Sequence, residues 1–107
     1  IGEKTAQAVR AQFAVLEVDR LQVRGKRDLE RIFTVLGDAE VARSPDFLEL
    51  EKRNGAMLAA YRRREWSHAL EMIILCRDMG KNFGLDDYYD LYIQRVRHQI
   101  DTAASSS

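Results

Sequence analysis

The sequence predicts an α+β fold that is mostly helical: an N-terminal helix and a β-hairpin, followed by three helices. Three observations predict it. Val and Leu crowd into "FAVLEVDRLQV" and "LERIFTVL" on either side of a glycine-bearing turn, and little after them reads as strand. Beyond residue 44 the apolar residues recur at spacings of three and four, the helical stripe. Helix-start chemistry introduces two of those runs, "SPDF" at 44–47 and an Asp pair at 86–87.

In chain order, "EKTAQAVRAQF" sets Ala6, Val9 and Phe13 on one helical face of about three turns. The strand "FAVLEVDRLQV" follows, with polar residues at Glu17, Asp19, Arg20 and Gln22 and only a loose alternation. Gly25, in "RGKR", supplies the backbone freedom that a tight turn requires. The second strand puts Phe33 and Val35 on one face and Ile32 and Leu36 near the other, and Gly37-Asp38 ends it. Ser44 is placed to cap a helix, Pro45 suits its first position, and Asp46 complements its dipole. Phe47, Leu50, Met57, Leu58 and Tyr61 line that helix, and the cations Arg62 to Arg64 close it. The next helix runs from about Trp66 to Met79. Its apolar set (Trp66, Ala69, Leu70, Met72, Ile73, Ile74, Leu75, Cys76) is broad enough to predict cover on two sides. Gly80 and Gly84 flank a linker. Asp86 or Asp87 caps a last helix with the stripe Tyr88 or Tyr89, Tyr92, Val96 and Ile100. "AASSS" reads as a disordered tail.

The chain has 107 residues, room for one modest core. Acidic and basic side chains balance at 17 each, so no net field favours nucleic acid or an anionic surface. The one cysteine, Cys76, excludes an internal disulfide framework and any multi-cysteine metal site. It fits a reducing, cytoplasmic setting. No apolar run approaches the roughly 18 residues of a membrane span, which predicts no direct membrane insertion. The start at Ile1 reads as a processed product or a piece of something longer.

Each remaining cluster has a plain reading. Asp86, Asp87 and Asp90 flank a helix start more naturally than they bind a metal. His68 and His98 have no ligand partners at metal spacing. Cys76 on an apolar helix is ordinarily an inert core residue. Arg62–Arg64 with Lys52 and Arg53 reads as a solvated helix end. The turn Arg24-Gly25-Lys26-Arg27 presents cations at a hairpin tip, a place for a phosphate or simply for water.

"LEVDRLQVRGKRDLERIFTVLG" closely resembles the last two strands of class III nucleotide cyclase catalytic domains, with their "V-K-G-K" turn and a final short apolar pair and Gly. "IGEKTAQAVRAQF" resembles the helix before them, "S-x-x-T-A-x-x-V" and an aromatic. The resemblance implies that residues 1–37 are the terminal helix–hairpin of such a fold. It implies phosphate contact for Arg24 and Lys26, although Arg24 stands where the family has Lys and the two are not geometrically equivalent. "AMLAAYRRREWSHALEMIILC" is similar to one tetratricopeptide unit, with Trp66 and Ala69 at its aromatic and small positions and Tyr61 one place off. Cyclases of this class carry C-terminal extensions of that type, and "LYIQRV" (residues 91–96) resembles their late element. Residues 38–102 are therefore expected to form a three-helix, tetratricopeptide-like extension, with 103–107 as tail. Tyr61, Trp66, Ala69 and Tyr92 are its expected packing and interaction residues. The parent would make cyclic AMP or cyclic GMP from the triphosphate with Mg or Mn. This segment, lacking the metal-binding aspartates and the transition-state Asn and Arg, would hold no metal and no catalytic residue. Its expected partners are the rest of the cyclase chain and, through the hairpin, a second copy, with no nucleic acid. The alternative is a free-standing helical adaptor.

The balanced charge generates a direct expectation. In a gel-shift titration at about physiological salt the chain leaves nucleic acid unshifted, and micromolar, salt-sensitive retardation contradicts it.

Overall fold

The computed structural model describes residues 1–22 and 29–106. The fold is α+β and mostly helical. In order come α1 (Glu3–Val9), β1 (Phe13–Gln22), β2 (Leu29–Asp38), α2 (Ala39–Ala42), α3 (Pro45–Arg62), α4 (Trp66–Gly80), a 3-10 turn (Lys81–Phe83) and α5 (Asp86–Ser106). Two compact units divide the chain, residues 1–49 and 50–107, and α3 begins in the first and continues in the second. The boundary between these units thus falls inside α3. The turn read at residues 24–27 lies outside the described residues.

In the first unit β1 and β2 pair antiparallel. Two irregularities interrupt the ladder. Ala14 faces Gly37 while Val15 faces Val35, which leaves Leu36 as an extra residue on β2. Glu17 faces Phe33 while Asp19 faces Ile32, which leaves Val18 extra on β1. One insertion on each strand restores the overall register and sharpens the local twist. The loose alternation of the sequence has this cause.

Side chains of Val15 and Phe33 meet Ala6 and Val9 of α1 in a small apolar cluster. Ala14 and Leu16 point the opposite way along β1 and are buried as well. Val41 of α2 rests on Gly37, beside Ala14 in the register. Asp38 caps α2 by accepting from the Val41 amide at 3.1 Å. Ser44 then joins α2 to α3: its hydroxyl donates to the Val41 carbonyl at 2.7 Å and accepts from the Phe47 amide at 3.2 Å. The cap expected at Ser44 is formed, whereas the one-turn α2 has no counterpart in the sequence reading.

In the second unit α4 packs along α5. Ala69, Ile73, Cys76 and Gly80 form the buried stripe of α4, spaced by three and four. A side chain at Gly80 would place a Cβ 2.7 Å from the Tyr89 ring, so the absence of one lets the helix end close on α5. Gly84 closes the 3-10 turn with φ of 70°, the left-handed conformation that favours glycine. Asp86 and Asp87 both lie in the first turn of α5, where their charge meets the positive end of the helix dipole, one position inside the expected cap. Tyr89, Tyr92 and Val96 form its buried face. α5 continues through Thr102-Ala103-Ala104, where two alanines favour helix, into the stretch the sequence reading leaves as tail.

The expectation that α4 is covered on two sides is corrected. Ile74 and Leu75 are 44% and 45% exposed, so only one stripe of the broad apolar set is used. Composition cannot separate a helix with two buried faces from one with a single face and spare apolar residues. The stripe at 69, 73, 76 and 80 can. Ile73→Ala is expected to lower unfolding free energy by about 2–5 kcal/mol. Ile74→Ala, one residue away, should stay within about 0.5 kcal/mol. Urea melts of the two variants measure the difference.

Candidate functional site

On the hairpin unit, Arg31 is the organising charge. Its alternation with Phe33 puts it on the face covered by α1. Its Nε donates to Glu17 Oε2 at 2.9 Å and its Nη2 to Glu17 Oε1 at 3.3 Å, a bidentate fork across the two strands. Its Nη1 reaches Glu3 Oε1 of α1 at 3.0 Å. The same guanidinium lies 5.2 Å from the centroid of the Phe33 ring, and Arg10 stands over that ring at 5.6 Å. Glu3, Gln7, Arg10, Arg31 and Phe33 line one cavity of about 190 Å³.

The outer edge of β2 is partly filled. The Ile1 nitrogen donates to the Phe33 carbonyl at 2.6 Å, and the Phe33 amide donates to the Ile1 carbonyl at 2.8 Å. Gly2 forms an isolated antiparallel bridge with Ile32. Val35, two residues on, sends its peptide groups to the same side by strand alternation, and it is 45% exposed. On β1, by contrast, Ala14, Val15 and Leu16 are buried, backbone included.

In the helical unit three of the four expected interaction residues come together. Tyr61 is the middle ring, edge-on to Trp66 at 5.5 Å and to Tyr92 at 4.9 Å. Tyr88 extends the cluster to Tyr92 at 5.2 Å and to Tyr89 at 4.7 Å, and Arg95 lies over Tyr92 at 5.4 Å. Tyr92 is buried, while Tyr61 and Trp66 are half-buried. Ala69 is fully buried on the α4 stripe and has no part in the ring cluster. Arg24 and Lys26, the expected phosphate contacts, lie outside the described residues.

Sequence reasoning missed the polar tie of this unit. Asn54 of α3 is buried, and its Oδ1 accepts from the Tyr89 hydroxyl of α5 at 2.8 Å. Asn54 falls between Leu50 and Met57 on the apolar stripe of α3, and a polar residue in that position was the available signal. Cys76 of α4 shares a hydrogen bond with Tyr89. Burial pushes the Cys76 thiol up to about 11, against smaller opposing effects of the Tyr89 hydrogen bond and the Arg53 charge. Burial also raises the Tyr89 phenol, helped by the adjacent Cys76. Both groups are therefore held neutral at ordinary pH, and the reading of Cys76 as an inert core residue holds. Asp90 accepts from Arg77 Nε at 2.6 Å, and Arg63 pairs with Glu65 in the α3–α4 turn. Arg64 closes that turn with φ of 60°, a conformation that costs a non-glycine residue about 1–2 kcal/mol. His68 and His98 are exposed. No described helix is long and apolar enough to cross a membrane.

No known protein family, no curated protein and no solved structure matches the chain.

The raised Cys76 thiol fixes a pH dependence. The unfolded thiol ionises near its ordinary 9.0 and the folded one near 11. Above pH 9 the unfolded chain therefore binds fewer protons than the folded chain, and stability falls as pH rises. The loss from this group is about 2–3 kcal/mol between pH 9 and 11. Denaturant midpoints across that window should drop in the wild-type chain and drop less in Cys76→Ala.

Proposed function

We propose that residues 1–37 are the terminal helix and hairpin of a class III nucleotide cyclase catalytic fold, and that the following helices are a non-catalytic extension for protein–protein contact. The parent converts ATP or GTP to the cyclic nucleotide with Mg or Mn, in the cytoplasm. This segment contributes sheet and contact surface, with Arg24 and Lys26 as the residues that contact nucleotide phosphate.

The observation that supports this reading is the outer edge of β2. Phe33 spends both peptide groups on Ile1 there, and the next rung, at Val35, faces outward beside an exposed apolar side chain. An edge with one rung taken and the next open is suited to continuing a sheet. The hairpin then borders a larger sheet, as the resemblance implies. Self-association falls to the same edge, most simply by exchange of the Ile1–Gly2 segment between two copies. One observation favours the adaptor reading instead. Burial of Ala14, Val15 and Leu16 closes the β1 side within the chain, as a self-contained unit requires.

Two measurements separate these readings. The coding sequence upstream of Ile1 carries two spaced aspartates and an Asn-x-x-x-Arg segment if the parent is a cyclase. Hydrogen exchange then reads the edge: the Val35 amide exchanges quickly in this chain and slowly in a chain extended upstream. Equal protection of Val35 in both contradicts the sheet-border reading. This chain alone makes no cyclic nucleotide with either metal, and activity above a Lys26→Ala control overturns the division of labour.

A further inference from the structure

The cavity beside α1 has a charge arrangement that neither strand edges nor helical contacts use. Glu3, Gln7 and Arg10 follow one another at spacings of four and three, so they share one face of the helix. Glu3 stands at one end of that face and Arg10 at the other, their backbone positions about 10 Å apart along the axis. The buried Phe33 ring and the Arg31 guanidinium form the opposite wall.

The charges are not equally committed. Arg31 is shared between two carboxylates, Glu17 through the fork and Glu3 through one bond. Glu3 spends Oε1 on that bond, and no described group bonds its Oε2. Arg10 touches the face of Phe33 and has no carboxylate partner among the described residues. The cavity therefore offers one spare carboxylate oxygen and one unpaired guanidinium, with Gln7 between them and the nearly covered Phe33 ring behind. A free volume of about 190 Å³ is below that of a drug-sized pocket, roughly 300–1,000 Å³, so the occupant is small.

We propose that this cavity binds a small zwitterion of the amino-acid class. Its ammonium donates to Glu3 and its carboxylate accepts from Arg10. Gln7, between the two, can donate to the carboxylate or accept from the ammonium. A plain anion meets Glu3 at one end, and a plain cation meets Arg10 at the other. Only a ligand with both charges satisfies both. This inference is independent of the cyclase reading, because it uses no residue of the hairpin turn and no β2 edge.

The test is a titration of the isotope-labelled full chain with alanine, propionate and ethylammonium, followed by amide shifts in NMR. Propionate is alanine without its ammonium and ethylammonium is alanine without its carboxylate, so each removes one charge. Alanine is expected to give saturable shifts at residues 3–10 and 31–33, with at least ~10-fold weaker response to either single-charge analogue, or about 1.4 kcal/mol. Arg10→Gln should weaken alanine binding by a similar factor and lower the thermal midpoint only slightly, since Arg10 forms no ion pair and its one described contact is with the Phe33 ring. Glu3→Gln tests the ammonium end, and unchanged amide positions in the rest of the hairpin show that α1 stays docked without the Arg31 bond. Absence of a saturable shift at ~10 mM alanine, a Kd far weaker than millimolar, overturns the proposal. So does equal binding of propionate, which reduces the site to an anion contact, or unchanged affinity in Arg10→Gln.

Discussion

Phe33 is the residue on which the hairpin unit depends. Its ring is the buried centre of the cluster with Ala6, Val9 and Val15, and so decides where α1 lies. Its peptide groups hold Ile1, and so decide what occupies the β2 edge. Its ring face takes two guanidinia, and so decides where charge collects. The magnitudes rank these roles. Burying the ring contributes about 1.5–3 kcal/mol. The Glu3–Arg31 contact, with both side chains about two-fifths exposed, contributes about 0.2–1 kcal/mol. Apolar burial therefore seats α1, and the ion pair orients what it seats. The Glu17 fork is the better-shielded half, because Glu17 is largely covered, and it ties β1 to β2 just where Val18 interrupts the ladder.

The helical unit is organised by a polar group that could not be left alone. A Tyr hydroxyl buried without a partner costs about 1–3 kcal/mol. Tyr89 avoids this by donating to Asn54 and sharing a contact with Cys76, so three helices converge on one hydroxyl. Each helix contributes an apolar stripe that tolerates small rotations. The hydrogen bond does not, because Asn54 must meet Tyr89 at one angle and one distance. Gly80 completes the arrangement by giving the Tyr89 ring room against α4. The aromatic cluster around Tyr61, Tyr88 and Tyr92 then spreads outward from a fixed point to the half-exposed Trp66.

Much of this was legible. Periodicity and punctuation located every long element, and the Ser44 cap and the inert Cys76 followed from local chemistry. What was not legible depends on pairing. The alternation of β1 is loose because Val18 is an insertion, and an insertion is visible only against its partner strand. The α4 stripe could not be chosen from eight apolar residues until α5 took one side of them. Asn54 drew no reading from the sequence, although its spacing from Leu50 and Met57 put it on the stripe. Arg31, Glu3 and Arg10 are scattered over 29 positions of sequence, and nothing local marks them as neighbours. The α2 turn is four residues long, and its own signals are too few to separate it from a loop.

Net charge was the least informative number in the sequence. Seventeen acids balance seventeen bases, and the balance argues against a net long-range field. It is silent about separation. Glu3 and Arg10 cancel in the sum, yet they stand at opposite ends of a two-turn helix with an apolar ring behind them. Exposed charges with no direct bond between them attract only weakly through water. Each is therefore better satisfied by a short contact than by its distant counterpart. Arg31 relieves Glu3 through one oxygen only, because it is shared with Glu17. The unfilled demand is therefore split between two places a few ångströms from one ring. A partner with two opposite charges a short distance apart fits that division better than any single ion.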